Sequence, residues 1–485
     1  MTKSIKKNTI LNAIKTFFSI IFPLITFPYA SRVLLVDSIG KVNFGLSFVS
    51  YFSLLASLGI NVYAIRECSK LSDNRDMLSK IASEIFSLNV FAMVFSYALL
   101  ALFLIFYKEV ENYRVLIVVQ SFSILLATLG TDWINTAMED FEYITIRTIL
   151  FHILSLILLF AFIHSPEDYI KYAAINVVSS GGYNLINIVY RKKYCDIKFT
   201  SKVEIKKHYL PIIYLFVMLL SQTIFNNVDM TMLGIMKGDF SVGIYSTAYK
   251  ISSIITQVIS SILWVVMPRI SFYYKKNDFN EINVLLKNIL YYNTTMGIPC
   301  VIGTIMLSKD IIYIIAGSQY LPASLVLQIL MLSLFVSLFG GSFIGNIILL
   351  PMGEEKYYMK VCVIATMVNI ILNRIMIFKW SFAGAAISTL ICSILIFALL
   401  LFKIDSRIHI ENPLSAFYKP FIGGVFVFIV CFFGSQIPDV YFRTFAIIAV
   451  SAIGYFLIQL MLKNEICYKF MLEAKNTILN GLYRK

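Results

Sequence analysis

Charge is scarce in this chain: of 485 residues only 14% are Asp, Glu, Lys or Arg, while 59% are hydrophobic and the mean hydropathy is +0.80. Soluble domains carry about a quarter charged residues, so a water-soluble globular protein is excluded. No GxxxxGK[ST] run occurs, so this chain carries no phosphate-binding loop with which to hydrolyse nucleotide. There is no HExxH, and the seven cysteines are scattered without a CxxC pair. That leaves neither a zinc site nor a disulfide framework, and the thiols read as small packing residues. The four histidines, His152, His164, His208 and His409, are far apart, and only His152 lies in mid-span, where a hydrogen-bonded interior ring is expected. No catalytic residue, metal site or cofactor is indicated.

What the chain has instead is a series of apolar runs, each long enough to cross about 30 Å of hydrocarbon at 1.5 Å per residue. Lipid leaves no partner for an unpaired backbone group, so the expected fold is an all-α polytopic membrane protein. Fourteen spans are expected, at 8–33, 39–63, 81–107, 113–134, 143–163, 168–190, 209–234, 242–267, 286–308, 321–350, 357–379, 381–402, 415–434 and 441–462. The opening run resembles an export signal, but its length, Lys15, Pro23 and Pro28 favour a retained first helix.

Lysine and arginine gather in alternate loops: Lys3, Lys6 and Lys7, then Arg66, Lys70, Arg75 and Lys80, then RKKYCDIKFTSKVEIKKH, and finally KNEICYKFMLEAK. By the positive-inside rule both termini are cytoplasmic. The net charge of +14 then reflects topology and anionic headgroups, with no call for nucleic acid. Trp133 and Trp264 are expected in the inner aromatic belt and Trp380 in the outer one.

The basic loop 191–208 follows the sixth span, so spans one and seven point the same way. Gly40 precedes Arg66 by 26 residues, and Gly243 precedes Arg269 by the same 26, each pair bracketing one span. A parallel repeat is therefore expected, with an N-terminal six-helix lobe (1–190), a cytoplasmic linker (191–208), a second six-helix lobe (209–402) and a last section (403–485) holding two more spans and a tail.

Ionisable groups inside spans cost about 2.5–3.5 kcal/mol each in a lone helix and so mark an interior or a watery path. Lys15 shares a face of span one with Asn8 and Asn12; Lys250 lies about two turns into span eight, near Ser246 and Thr247; Arg374 accompanies Asn369 and Asn373. Arg147 is expected to snorkel from the start of span five. The acids are Asp229, beside Asn226 and Asn227, and the peripheral Glu84 and Glu142. Bases outnumber acids, which suits an anionic cargo. Asp229 either pairs with a base or carries a coupling ion.

The stretch FPYASRVL…DSIGKVNFGLSFVSYFSLLASLGINVYAIREC, followed later by NNVDMTMLG, VGIYSTAYKIS and MPRIS, resembles the polysaccharide, or O-antigen, flippases of the multidrug/oligosaccharidyl-lipid/polysaccharide exporter superfamily. The first 70 residues carry the likeness most specifically. The resemblance implies two pseudo-symmetric six-helix lobes around a central cavity plus two C-terminal helices. It implies a bacterial cytoplasmic-membrane protein that moves undecaprenyl-diphosphate-linked oligosaccharide outward by alternating access, in company with a polysaccharide polymerase and a chain-length regulator. Lys15, Asn12, Arg32, Lys250 and Arg374 would then meet the cargo, and Asp229, Arg66 and Arg269 would serve coupling or gating. A cation-coupled multidrug antiporter of the same superfamily would prefer acidic cavity residues. A membrane polymerase would want a large outer loop, and an acyltransferase would want His152 among polar partners.

Overall fold

The computed structural model describes residues 5–201, 205–260, 263–405, 407–409, 413–468 and 471. Lys3, part of the basic linker and most of the C-terminal tail lie outside the described residues. The helices in chain order are α1 (Ile5–Ser57), α2 (Ile60–Ser69), α3 (Arg75–Phe106), α4 (Arg114–Gly130), α5 (Trp133–Ala137), α6 (Phe141–Phe162), α7 (Tyr169–Gly181), α8 (Asn184–Tyr190) and α9 (Ile205–Lys237). They continue as α10 (Asp239–Ser260), α11 (Leu263–Lys275), α12 (Phe279–Met306), α13 (Ser308–Ala316), α14 (Ala323–Phe339), α15 (Glu355–Leu401), α16 (Ser415–Gly434) and α17 (Val440–Met461). Among the described residues no strand occurs, and nine helical stretches are long and apolar enough to cross a membrane. Large apolar side chains such as Phe95, Phe106, Phe378 and Phe445 stand exposed along them. Only a lipid exterior covers so much apolar surface, and the chain is a multi-pass membrane protein.

Two of the nine stretches hold two expected spans each, joined through a single non-helical residue. In α15 this is Ser381 (φ 49°, ψ −130°), and Tyr357 Oη donates to Leu399 O at 2.7 Å, so the halves are antiparallel. In α1 it is Leu35 (φ 62°, ψ 178°). Before it the chain runs parallel to α6, with Thr145 bonded to Leu11 O and Tyr29 to Ile163 O; after it the chain runs antiparallel to α3, with Ser96 bonded to Phe52 O and Asn89 to Ala56 O. Other expected spans end earlier. The second stops at Ser57, ahead of Gly59 at φ 75°, and the sixth breaks at Gly182–Tyr183 into α7 and α8.

The chain divides into two compact units, Met1–Gly243 and Ile244–Lys485. In the first, the second half of α1 crosses the start of α10 at backbone distance. A Cβ on Gly40 would stand 1.9 Å from Asp239 O, and one on Gly243 would stand 2.3 Å from Val36 O. The contact is reciprocal, because Val36 and Asp239, like Gly40 and Gly243, are 203 residues apart. The same offset relates Leu35 to Gly238, which also has positive φ (80°). In the second unit, Leu307, Val427, Cys431, Ile447 and Tyr455 form a core that fastens α16 and α17. Arg443 adds a two-pronged ion pair to Asp310, at 2.8 and 2.5 Å.

Candidate functional site

The residues singled out by sequence spread over six helices. In the first unit Lys15 is half-buried and Asn12 exposed on α1. Arg32 is exposed and donates from Nη1 to Pro28 O of its own helix at 3.0 Å. Arg66 is exposed on α2, bonded to Glu67 Oε1 at 3.0 Å and lying over the Tyr63 ring at 5.5 Å. Asp229 is buried on α9, close to a trio in which Thr231 Oγ1 meets Tyr51 Oη at 3.0 Å and Ser47 Oγ at 3.1 Å. In the second unit Lys250 is half-buried on α10, and Arg269 and Arg374 are exposed on α11 and α15. Asn369 and Asn373, next to Arg374, are buried and bonded to each other at 3.1 Å.

Arg147 does not snorkel. Its side chain is 4% exposed, with the guanidinium face 4.4 Å from the Tyr183 ring and 5.1 Å from the Tyr143 ring. Nη1 donates to Asn187 Oδ1 and Nη2 to Asp132 Oδ1. The planar fork and two aromatic faces hold the charge in place where an aliphatic surrounding would expel it. Trp133 also departs from its expected place in the aromatic belt, being 3% exposed in the core of α2, α3 and α5. His152 stacks on Phe22, with ring centroids 4.4 Å apart, and its Nδ1 has no hydrogen-bond partner among the described residues.

Of these residues Asp132, Trp133 and Tyr183 border a cavity of about 350 Å³ in the first unit, at the small end of ligand pockets. Ser53, Asn61, Ser123, Asp132, Thr136, Ser180, Tyr183 and Asn184 line it, with Trp133 beside them. The local chain makes the space. Gly130 lets Asn184 come so close that a Cβ would meet Asn184 Oδ1 at 2.3 Å, and Thr131 (φ 45°) then turns the chain so that Asp132 opens α5. Arg191 closes the turn, donating from Nη1 to Leu129 O at 2.8 Å and Thr131 Oγ1 at 2.9 Å. The one charged lining residue, Asp132, is paired with the buried Arg147 behind it, and the rest of the wall offers neutral donors, acceptors and aromatic surface. That chemistry recognises hydroxyl-rich, uncharged groups.

Asp132 sits at a span end, where position alone does not distinguish a site acid from a loop acid. The signal was present in TDW at the end of the fourth span, in Arg147, and in Asn184 and Asn187 one helical turn apart. A second cavity, of about 430 Å³, lies in the second unit among Ile255, Met296, Pro299, Val427, Ile448 and Phe456, and its wall is almost wholly apolar.

Comparison with known proteins agrees with this architecture. A family model described as "Polysaccharide biosynthesis protein" matches residues 5–273, and a MatE model matches residues 215–375. The chain is 22% identical over 398 residues to a putative O-antigen transporter of Shigella dysenteriae, covering 81% of this chain and 98% of that protein. It is 24% identical over 361 residues to the capsular polysaccharide biosynthesis protein CapF of Staphylococcus aureus, covering 73% and 87%. A 165-residue stretch, a third of each chain, is 27% identical to the probable low-salt glycan biosynthesis flippase Agl15 of Haloferax volcanii. Among solved structures the lipid II flippase MurJ in an inward closed conformation superposes with a TM-score of 0.74 at 20% identity, over 94% of this chain and 99% of that one. An outward-facing multidrug resistance MATE transporter superposes at 0.53 and 17% identity, over 82% and 94%. Matched over more than half its length, the chain belongs to the polysaccharide biosynthesis protein family.

Proposed function

We propose that this protein is a transporter, not an enzyme, and that it flips an undecaprenyl-diphosphate-linked oligosaccharide from the inner to the outer leaflet of a bacterial cytoplasmic membrane by alternating access. The cargo is an O-antigen or capsule repeat unit, and both termini are cytoplasmic. The observation that carries the reading is the likeness to a putative O-antigen transporter over nearly all of that protein's length. The two cavities fit a cargo with two chemistries: the hydroxyl- and amide-lined one suits sugar, and the apolar one suits hydrocarbon. In this reading Lys15, Lys250, Arg32 and Arg374, with Asn12, meet the diphosphate, and Asp229, Arg66 and Arg269 act in coupling or gating. The lobes 1–190 and 209–402 are parallel repeats joined by the linker 191–208 and followed by 403–485. The reciprocal Gly40 and Gly243 contact and the paired positive φ at Leu35 and Gly238 support that division. A polysaccharide polymerase and a chain-length regulator act on the product outside.

Deleting the gene in its host tests this directly. Lipid-linked repeat units are expected to accumulate inside while surface polysaccharide falls, and Lys250→Arg is expected to restore export better than Lys250→Ala at equal protein level. The MatE match over residues 215–375 favours a second reading, a cation-coupled drug antiporter. Intact surface polysaccharide with raised drug sensitivity in the deletion strain would select it.

A further inference from the structure

The linker that joins the two expected repeats does not hang free. Ser79, Ser83 and Ser87 recur every four residues on α3 and so stand above one another on one face. Each hydroxyl donates to the carbonyl four residues back: Ser79 to Arg75 O at 2.7 Å, Ser83 to Ser79 O at 2.7 Å and Ser87 to Ser83 O at 2.8 Å. That commits the hydrogen and leaves each oxygen as an acceptor facing outward. Onto those oxygens come the backbone N–H groups of every second linker residue, Asp196 at 3.1 Å, Lys198 at 3.0 Å and Thr200 at 2.8 Å.

The two periodicities agree. Four helical residues rise about 6.0 Å, and two residues of extended chain advance about 6.4–6.8 Å. The mismatch is under an ångström per rung, so three rungs stay in register. An extended segment laid against a helix otherwise leaves its inward N–H groups without partners, since the helix has spent its own carbonyls; the serines supply the missing acceptors. Both ends are fastened as well. Arg75 Nη2 donates to Lys192 O at 2.8 Å and to Asp196 Oδ2 at 3.2 Å, and the Phe199 ring packs on Phe91 at 5.5 Å. Downstream, His208 is fully buried at the start of α9, its Nδ1 2.7 Å from Tyr63 Oη and its Nε2 3.1 Å from Glu84 Oε2.

We infer that residues 196–200 are a strap zipped onto α3 by this serine ladder, and that Ser79, Ser83 and Ser87 are positioning residues that fix where α9 begins. A slack tether would let α9 shift against α2 and α3. The zipped strap makes α9, the first helix of the proposed second repeat, part of the body formed by the first eight helices, so any movement of the rest of that repeat is taken up beyond α9. This goes past the flippase reading, and its structural half stands without it.

Hydrogen exchange at single-residue resolution on the full-length protein in nanodiscs tests the ladder. The amides of residues 196, 198 and 200 are expected to exchange more slowly than those of 197 and 199. Ser83→Ala should speed the Lys198 amide by about fivefold, the worth of one net hydrogen bond, and Ser83→Thr, which keeps the hydroxyl, should not. Uniform exchange along 196–200, or no response to Ser83→Ala, overturns the ladder. For the positioning role, the Ser79→Ala/Ser83→Ala/Ser87→Ala variant is compared with wild type for flipping of lipid-linked oligosaccharide in liposomes, with Ser87→Ala alone as the milder case. Freed amides together with unchanged flipping would overturn that role. Absence of flipping by the wild type would instead sink the transport reading and leave the exchange result standing.

Discussion

Gly40→Ala is expected to push apart the crossing of α1 and α10 in the first unit. The added methyl would sit 1.9 Å from Asp239 O and 3.1 Å from Gly243 N, both backbone atoms that no rotamer change can move. Carbon–oxygen contacts settle near 3.3–3.6 Å, so the two segments must separate by roughly 1.5 Å. Overpacking of this kind costs about 1–3 kcal/mol. Gly243→Ala meets Val36 O at 2.3 Å and needs a smaller retreat, so its effect should have the same sign and a lesser size. The two sites share one contact, so the double variant should cost less than the sum of the singles. The assay is thermal stability of the purified protein in detergent, followed by size-exclusion chromatography, with surface polysaccharide scored in parallel. Wild-type stability for Gly40→Ala, or strict additivity of the pair, would refute the reciprocal crossing.

Gly238 has positive φ and open space where a Cβ would go, so Gly238→Ala isolates the backbone cost and should destabilise by about 1–2 kcal/mol. Leu35→Gly relieves a conformation that costs about 1–3 kcal/mol and should raise the melting temperature; a fall would show that the Leu35 side chain matters more than its φ. Arg147→Met should cost about 2 kcal/mol, below the 3–5 kcal/mol of a fully buried pair, because the Asp132 side chain is 37% exposed to the cavity. Arg147→Met combined with Asp132→Asn should recover part of that loss in the same melting assay. Asp239 precedes the expected span 242–267 and accepts from Tyr113 Oη at 2.5 Å, and burial raises its carboxyl above the ordinary carboxylate range. The folded state therefore keeps this proton to higher pH than the unfolded chain does, and the stabilisation is lost as pH rises through the ordinary range toward the raised value. Melting curves of Asp239→Asn should gain on wild type as pH rises from about 4 to 7, and parallel curves would contradict the assignment.

Hydropathy and loop charge make the all-helical, multi-pass fold readable because lipid imposes one rule on every residue of a span. The reversals near 35 and 380 were equally readable, since a polar or charged break between two long apolar runs can only be a turn at a membrane face. Arg147 shows where that logic stops. Position in a span cannot tell a base that reaches for headgroups from one locked between Tyr143 and Tyr183, because its partners Asp132 and Asn187 come from other helices. Trp133 fails for the same reason: a tryptophan at a span end suits an interface, but α2 and α3 cover this one. The serine ladder is a different case. Its spacing of four on α3 is visible in the sequence, yet serines at that spacing are common on membrane helices. The meaning of this set depends on an extended partner more than a hundred residues away meeting it in step. Composition therefore reaches as far as what each helix must exclude, and the site begins where side chains from separate helices satisfy one another.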